Sequence, residues 1–185
     1  LIPQMAPAGL GGHVEGPSRP GTQDAMRAAG MVWMKVQIRF GPGAGTGDAE
    51  NAIAAARAGG FKILLGVVGS PRDWDGVEDD YIRRYSEFVA RIATLGPDAI
   101  EVWNEPNLAR EWPSGQISGS NYTRLLQRSY NAIKSANPNV FVISAAPAPT
   151  GAEAAFPGDV VNDDNFLRQM VNAGALNFTD CAGMH

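Results

Sequence analysis

The feature that most narrows what this chain can fold into is an alternation. Short apolar, β-prone runs are each followed by a longer stretch whose apolar residues recur at helical spacing. Residues 10–14, 32–40, 61–68, 99–103, 140–143 and 180–184 read as six strands. Between them, residues 22–29 and 48–58 read as helices. So do the stripes Tyr81, Tyr85, Phe88, Val89 and Ile92, then Tyr122, Leu125, Leu126, Tyr130 and Ile133, then Phe166, Leu167, Met170 and Val171. Gly30, Gly59-Gly60, Gly96-Pro97, Asn137-Pro138 and Gly174 punctuate the series where helices should stop. Most successive strands start roughly 30 to 40 residues apart, one βα unit each. Such a series builds a parallel sheet, so the class is α/β, with one domain over residues 1–185 and no internal linker. An open doubly wound sheet and a closed (β/α)8 barrel both use this pattern, and the pattern alone does not separate them.

Composition closes off other classes. With 185 residues, 44% of them hydrophobic and 18% charged, the chain can bury a core without disulfides. A net charge of -4 has the wrong sign for a nucleic-acid binder. No run of basic residues suits a membrane surface, and no apolar run approaches the ~20 residues of a membrane span. The single cysteine, Cys181, cannot form a bridge within the chain and reads as a small buried filler. Leu1 in place of an initial Met reads as a processed or trimmed product.

Two stretches invite a chemical reading. Gly41-Pro42-Gly43-Ala44-Gly45-Thr46-Gly47 joins a strand to a helix, as phosphate-binding loops do. Its spacing refuses G-x-G-x-x-G, because the third glycine would fall on Thr46 or Asp48, and no Gly-Lys-Ser/Thr follows. It is read as a flexible connection, and no cofactor is expected. The other stretch is Ile100-Glu101-Val102-Trp103-Asn104-Glu105-Pro106-Asn107, where an apolar strand ends in an amide and a carboxylate. Loops at the C-terminal ends of parallel strands are where such folds carry chemistry. His13 and His185 lie in no ligand-spaced cluster, so no metal is expected, and no G-x-S-x-G elbow points to a serine nucleophile. A strand-end carboxyl can be a general acid, a nucleophile or a structural ion-pair partner, and glycoside hydrolysis is one chemistry that uses it. Such hydrolysis needs two carboxyl groups about 5 Å apart for retention and more for inversion, and Glu105 would be one of them.

This octapeptide resembles the fourth-strand motif of the clan A glycoside hydrolases, which are (β/α)8-barrel enzymes, and most closely their xylosidase and iduronidase-like branch. The resemblance implies Glu105 as the general acid/base and Asn104 as the contact to the sugar 2-hydroxyl. It implies further that Arg39, ending strand two, supports the nucleophile, and that His185, ending Gly183-Met184-His185, lies in the cleft. His13 at the end of strand one is a candidate sugar contact. Trp74 and Trp112, in loops on the same expected face, are candidates to stack on sugar rings. The implied activity is retaining hydrolysis of a poly- or oligosaccharide, with no metal or cofactor. The implied location is extracellular or at the cell surface.

The chain departs from that family in one respect. The clan's nucleophilic glutamate belongs to strand seven, and six βα units do not reach it. Glu15, Asp73, Asp75 and Glu101 do not substitute by position. Glu101 shares strand parity with Glu105 but sits roughly 13 Å lower at the usual rise, and reads as a buried ion-pair partner. The expectation is therefore that the remaining strands and the nucleophile lie beyond residue 185, or that another chain completes the barrel. Taken literally, the same residues describe an alternative, a non-catalytic carbohydrate-binding or cell-surface structural protein on a glycosidase-like barrel.

Overall fold

The computed structural model describes residues 9–74 and 78–185. The opening residues and Asp75 lie outside them. The elements run β1 (Gly11–His13), α1 (Pro20–Ala28), β2 (Trp33–Arg39), α2 (Gly47–Ala58), β3 (Lys62–Val68), α3 (Glu78–Thr94), β4 (Ala99–Val102), α4 (Gly119–Ala136), β5 (Phe141–Ser144) and α5 (Asp163–Asn172). Single 3-10 turns at Pro71–Asp73 and Ala175–Phe178 complete the series. All strand pairs are parallel, and their order in the sheet, β1-β2-β3-β4-β5, is their order in the chain.

One face of the sheet is packed under the helices. Met34, Val36 and Ile38 of β2, Ile63, Leu65 and Val67 of β3, Ile100 and Val102 of β4 and Val142 of β5 are all buried there. The expected stripes of α3 and α4 meet them, with Tyr81, Tyr85, Phe88, Ile92, Tyr122, Leu125 and Ile133 fully buried. Close approach sets two glycines. A Cβ on Gly119 would lie 2.4 Å from the Phe166 carbonyl, so α4 and α5 touch backbone to backbone. One on Gly69 would meet the Tyr81 hydroxyl at 1.9 Å and the Trp103 ring at 2.7 Å.

The other face is hollow. A cavity of about 560 Å³ is lined by His13, Trp33, Lys35, Leu64, Phe141 and Ile143 among others. Alternation along the strands sends these residues away from the helices, and several stay half-exposed.

The expected sixth strand is not a strand. Cys181 makes one isolated parallel bridge to Ile143, supported by Ser144 N–H to the Cys181 carbonyl at 3.0 Å. Among the described residues β5 is the strand it pairs with, through this one bridge and the bonds of Asp180 and Cys181 N–H to the Val142 carbonyl at 2.8 and 3.3 Å. Cys181 is accordingly half-buried and not a core filler. Lys134 and Asp180 pair at 2.6 Å beside it, and the same Asp180 oxygen accepts from Val142 N–H at 2.8 Å.

Candidate active site at the end of the fourth strand

The ladder on both sides of β4 is closed by a tyrosine. Tyr85 of α3 donates its hydroxyl to the Val67 carbonyl at 2.7 Å and accepts from Trp103 N–H at 3.2 Å. Tyr122 of α4 donates to the Val102 carbonyl at 2.8 Å and accepts from Ala145 N–H at 2.6 Å. Burial holds both phenols well above the usual tyrosine range, so they remain neutral donors. The Tyr122 hydroxyl takes over a rung that a strand would otherwise supply; beside Tyr85 the rung itself persists, with Trp103 N–H also donating to the Val67 carbonyl at 2.9 Å. On the β5 side the chain after Val102 is thereby free to leave the sheet.

It leaves through two left-handed residues, Trp103 at φ 75° and Glu105 at φ 43°. Non-glycine residues in this region cost on the order of 1–3 kcal/mol each. Packing and hydrogen bonds offset that cost. Strand alternation would put Trp103 on the hollow face with Glu101; the positive φ turns its ring into the helix-side core instead. There it lies 5.5 Å from Tyr85 and from Trp112, and 6.3 Å from Trp74. Its indole N–H donates to the Glu111 carbonyl at 3.0 Å. Asn107, fully buried, staples the turn to the next loop: its amide donates to the Ala148 and Val161 carbonyls and accepts from Ala148 N–H, all within 2.9 Å.

Glu105 emerges from this frame with its side chain 14% exposed. Its backbone N–H donates to the Ala146 carbonyl at 3.1 Å, which ties the turn to the end of β5. One carboxylate oxygen lies 3.1 Å from His185 Nδ1, and the other is ion-paired with the Arg110 guanidinium. Arg110 Nε is also 3.7 Å from Glu111, whose carboxyl burial pushes above the ordinary range, against the opposing charges of Arg110 and Arg39.

The structure thus gathers Glu105, Asn104, Arg39 and His185 at one end of the sheet and adds Arg110 and Glu111. Neither addition is marked by the strand pattern; the run of charge after the motif was the only signal for them. His13 is elsewhere. It pairs in register with Lys35, at the level of Ala99, and burial followed by the Lys35 charge holds its imidazole below the usual value. Lys35 is ion-paired with Glu101, whose side chain is only 5% exposed, as expected of a buried partner. Trp74 and Trp112 require correction. They are 5% and 1% exposed and pack against each other at 4.9 Å, so their rings are core and not stacking platforms. Apolar burial of an indole outweighs a loop position. Among the described residues, no three His, Cys, Asp or Glu side chains gather as metal ligands would.

No protein-family model matches the chain, and no curated protein sequence does. Solved structures do match. An endo-glycoceramidase II from Rhodococcus sp. is 14% identical, with a TM-score of 0.55 over 82% of this chain and 52% of its own. An endo-1,4-beta-mannanase from Rhizomucor miehei is 13% identical, with a TM-score of 0.58 over 86% of this chain and 63% of its own. An exo-beta-1,4-mannosidase from Opitutaceae bacterium strain TAV5 is 15% identical, with a TM-score of 0.54 over 67% of this chain and 27% of its own. The chain spans about half the length of the glycoceramidase. Its fold is that of part of a (β/α)8 barrel, and the barrels it resembles are glycosidases.

Proposed function

We propose that this chain carries the acid/base half of a retaining O-glycoside hydrolase acting on a poly- or oligosaccharide. The observation that carries the reading is the left-handed turn that lifts Glu105 out of the β4 ladder and holds its carboxylate beside His185. A carboxyl group fixed at the C-terminal end of a barrel strand, at the mouth of the lumen, is where a leaving glycosidic oxygen can reach it. Asn104, half-buried next to it, is the proposed partner of the sugar 2-hydroxyl, and His185 and Arg39 flank the same cleft.

In the first step Glu105 donates a proton to the leaving oxygen while a carboxylate attacks the anomeric carbon. In the second it takes a proton from the water that releases the sugar. The glycoceramidase has been captured as a lactosyl-enzyme intermediate, the species a retaining route forms, and this likeness of fold supports the same route here. The nucleophile is proposed to come from the strands that close the barrel, supplied by the rest of the protein or by a second chain. Within the barrel glycosidases, the string from Trp103 to Asn107 favours the xylosidase and iduronidase-like branch. The same reading puts the protein outside the cell or at its surface.

The test is Glu105→Gln in the protein with its barrel closed. On glycosides with poor leaving groups, kcat should fall by about 10²–10⁴-fold, the usual worth of a positioned acid/base. Undiminished turnover would sink the reading.

A further inference from the structure

Both oxygens of the Glu105 carboxylate are occupied, one by His185 and one by Arg110. A group that gives a proton to a leaving oxygen and takes one from water needs an oxygen facing the substrate. The groups around it are not equally fixed. Glu105 is tethered through its backbone to Ala146, and Glu111 through its carbonyl to the Trp103 indole. Their side chains are 14% and 20% exposed; that of Arg110, lying between them, is 66% exposed. Arg110 is the part free to move. A second carboxylate already waits beside it, with Nε 3.7 Å from Glu111 Oε1.

We propose that Arg110 is a movable cover on Glu105, which an incoming saccharide displaces onto Glu111. Glu111 is then a positioning residue that receives the guanidinium while Glu105 works. The proposal rests on the reading of Glu105 as acid/base. A guanidinium fork takes a carboxylate through two parallel N–H bonds, and Glu111 holds only the longer contact to Nε while Glu105 is covered. The charges that face Glu111 are Arg110 and Arg39, which favour its ionised form, and Glu105, which opposes it. Full transfer of Arg110 therefore compensates Glu111 for the burial that its charge otherwise suffers.

The test compares hydrolysis of phenyl and 2,4-dinitrophenyl β-glycosides of gluco, manno and xylo configuration by the closed-barrel protein. Phenolate needs a proton to leave, and dinitrophenolate does not. Glu111→Gln leaves Arg110 without a second berth. It should lower kcat/KM on phenyl glycosides about tenfold and raise the dinitrophenyl-to-phenyl ratio by a similar factor, a plausible share of the acid/base contribution. Arg110→Gln combined with Glu111→Gln should recover most of that loss, a coupling that neighbouring residues acting through one another show. A purely structural role for Glu111 is not repaired by deleting Arg110. The cover is overturned if Glu111→Gln loses nothing or if the double variant is no better than the single one. Full activity of Glu105→Gln on phenyl glycosides, or no turnover by the unaltered protein, overturns the functional reading and the cover with it. Loss of activity in Glu105→Gln together with an unsuppressed Glu111→Gln overturns the cover alone.

Discussion

Glu101 and Glu105 stand on one short stretch of chain, yet the structure gives them opposite tasks. Glu101 is buried against Lys35 on the hollow face, and Gly66 makes the room: a Cβ there would come within 3.2 Å of a Glu101 carboxylate oxygen. Removing one member of such a pair strands the other charge. Because Lys35 keeps a side-chain exposure of 25%, the full penalty for a buried charge is discounted. Glu101→Gln should destabilise by about 2 kcal/mol, and Lys35→Met combined with Glu101→Leu should restore most of it, read from urea unfolding. Glu105 stands clear of the ladder, beside His185 and Arg110, because two residues before it the backbone changes hand. Parity along a strand would have joined Glu101, Trp103 and Glu105 on one face. That inference fails at Trp103, since no pattern of apolar and polar residues reports the sign of φ.

Among the elements, α3 and α4 do more than cover the sheet. Each sends one phenol between two strands, and on the β5 side the Tyr122 hydroxyl fixes from outside the point at which β4 ends. Tyr122→Phe would leave the buried Val102 carbonyl and Ala145 N–H short of a partner, which costs about 1–3 kcal/mol, whereas Tyr85→Phe should cost less because Trp103 N–H still donates to the Val67 carbonyl at 2.9 Å. Both should lower the unfolding midpoint, Tyr122→Phe the more, and in that variant amide exchange should quicken at Ala145. Unchanged exchange at Ala145 would mean that the Tyr122 hydroxyl does not set the strand end. The stripes of these helices were legible from their spacing, as were five of the six strands and the place of Glu105. The tyrosine hydroxyls were not, because a stripe counts apolar surface and is blind to the polar tip of an aromatic ring. Trp74 and Trp112 were misread for a related reason. A tryptophan flanked by polar loop residues looks exposed, but these two bury each other at 4.9 Å from loops far apart in sequence, and Trp103 closes on Trp74 at 6.3 Å. Arg110 and Glu111 became visible only when the turn brought them beside Glu105.

For the whole molecule, the decisive fact is that helices cover one face of the sheet and a hollow lies on the other. The structures it resembles extend well past the matched region, which agrees with a barrel that this chain only begins. In the 185-residue chain by itself, amides at the centres of β2 to β4 should exchange slowly and those of Gly11–His13 and Cys181 quickly. Closing the barrel with the remaining strands should slow both edges together and shift the fluorescence of Trp33, which lines the hollow. Edges that stay fast would argue against closure. The hollow of about 560 Å³ lies at the level of His13 and Phe141, below the turn that holds Glu105, and so it belongs to the lumen side of the sheet.

The strand order has a consequence for how the protein is made. Because each strand lies beside the one synthesised just before it, every pairing in the sheet can form as soon as its second member leaves the ribosome, without waiting for distant sequence. The segment bearing Glu105 can therefore find its place early, against β3 on one side, and be locked when β5 and the Ala145 amide arrive on the other. Synthesis order, read along the sheet, is also the order in which the acid end of the cleft would be assembled.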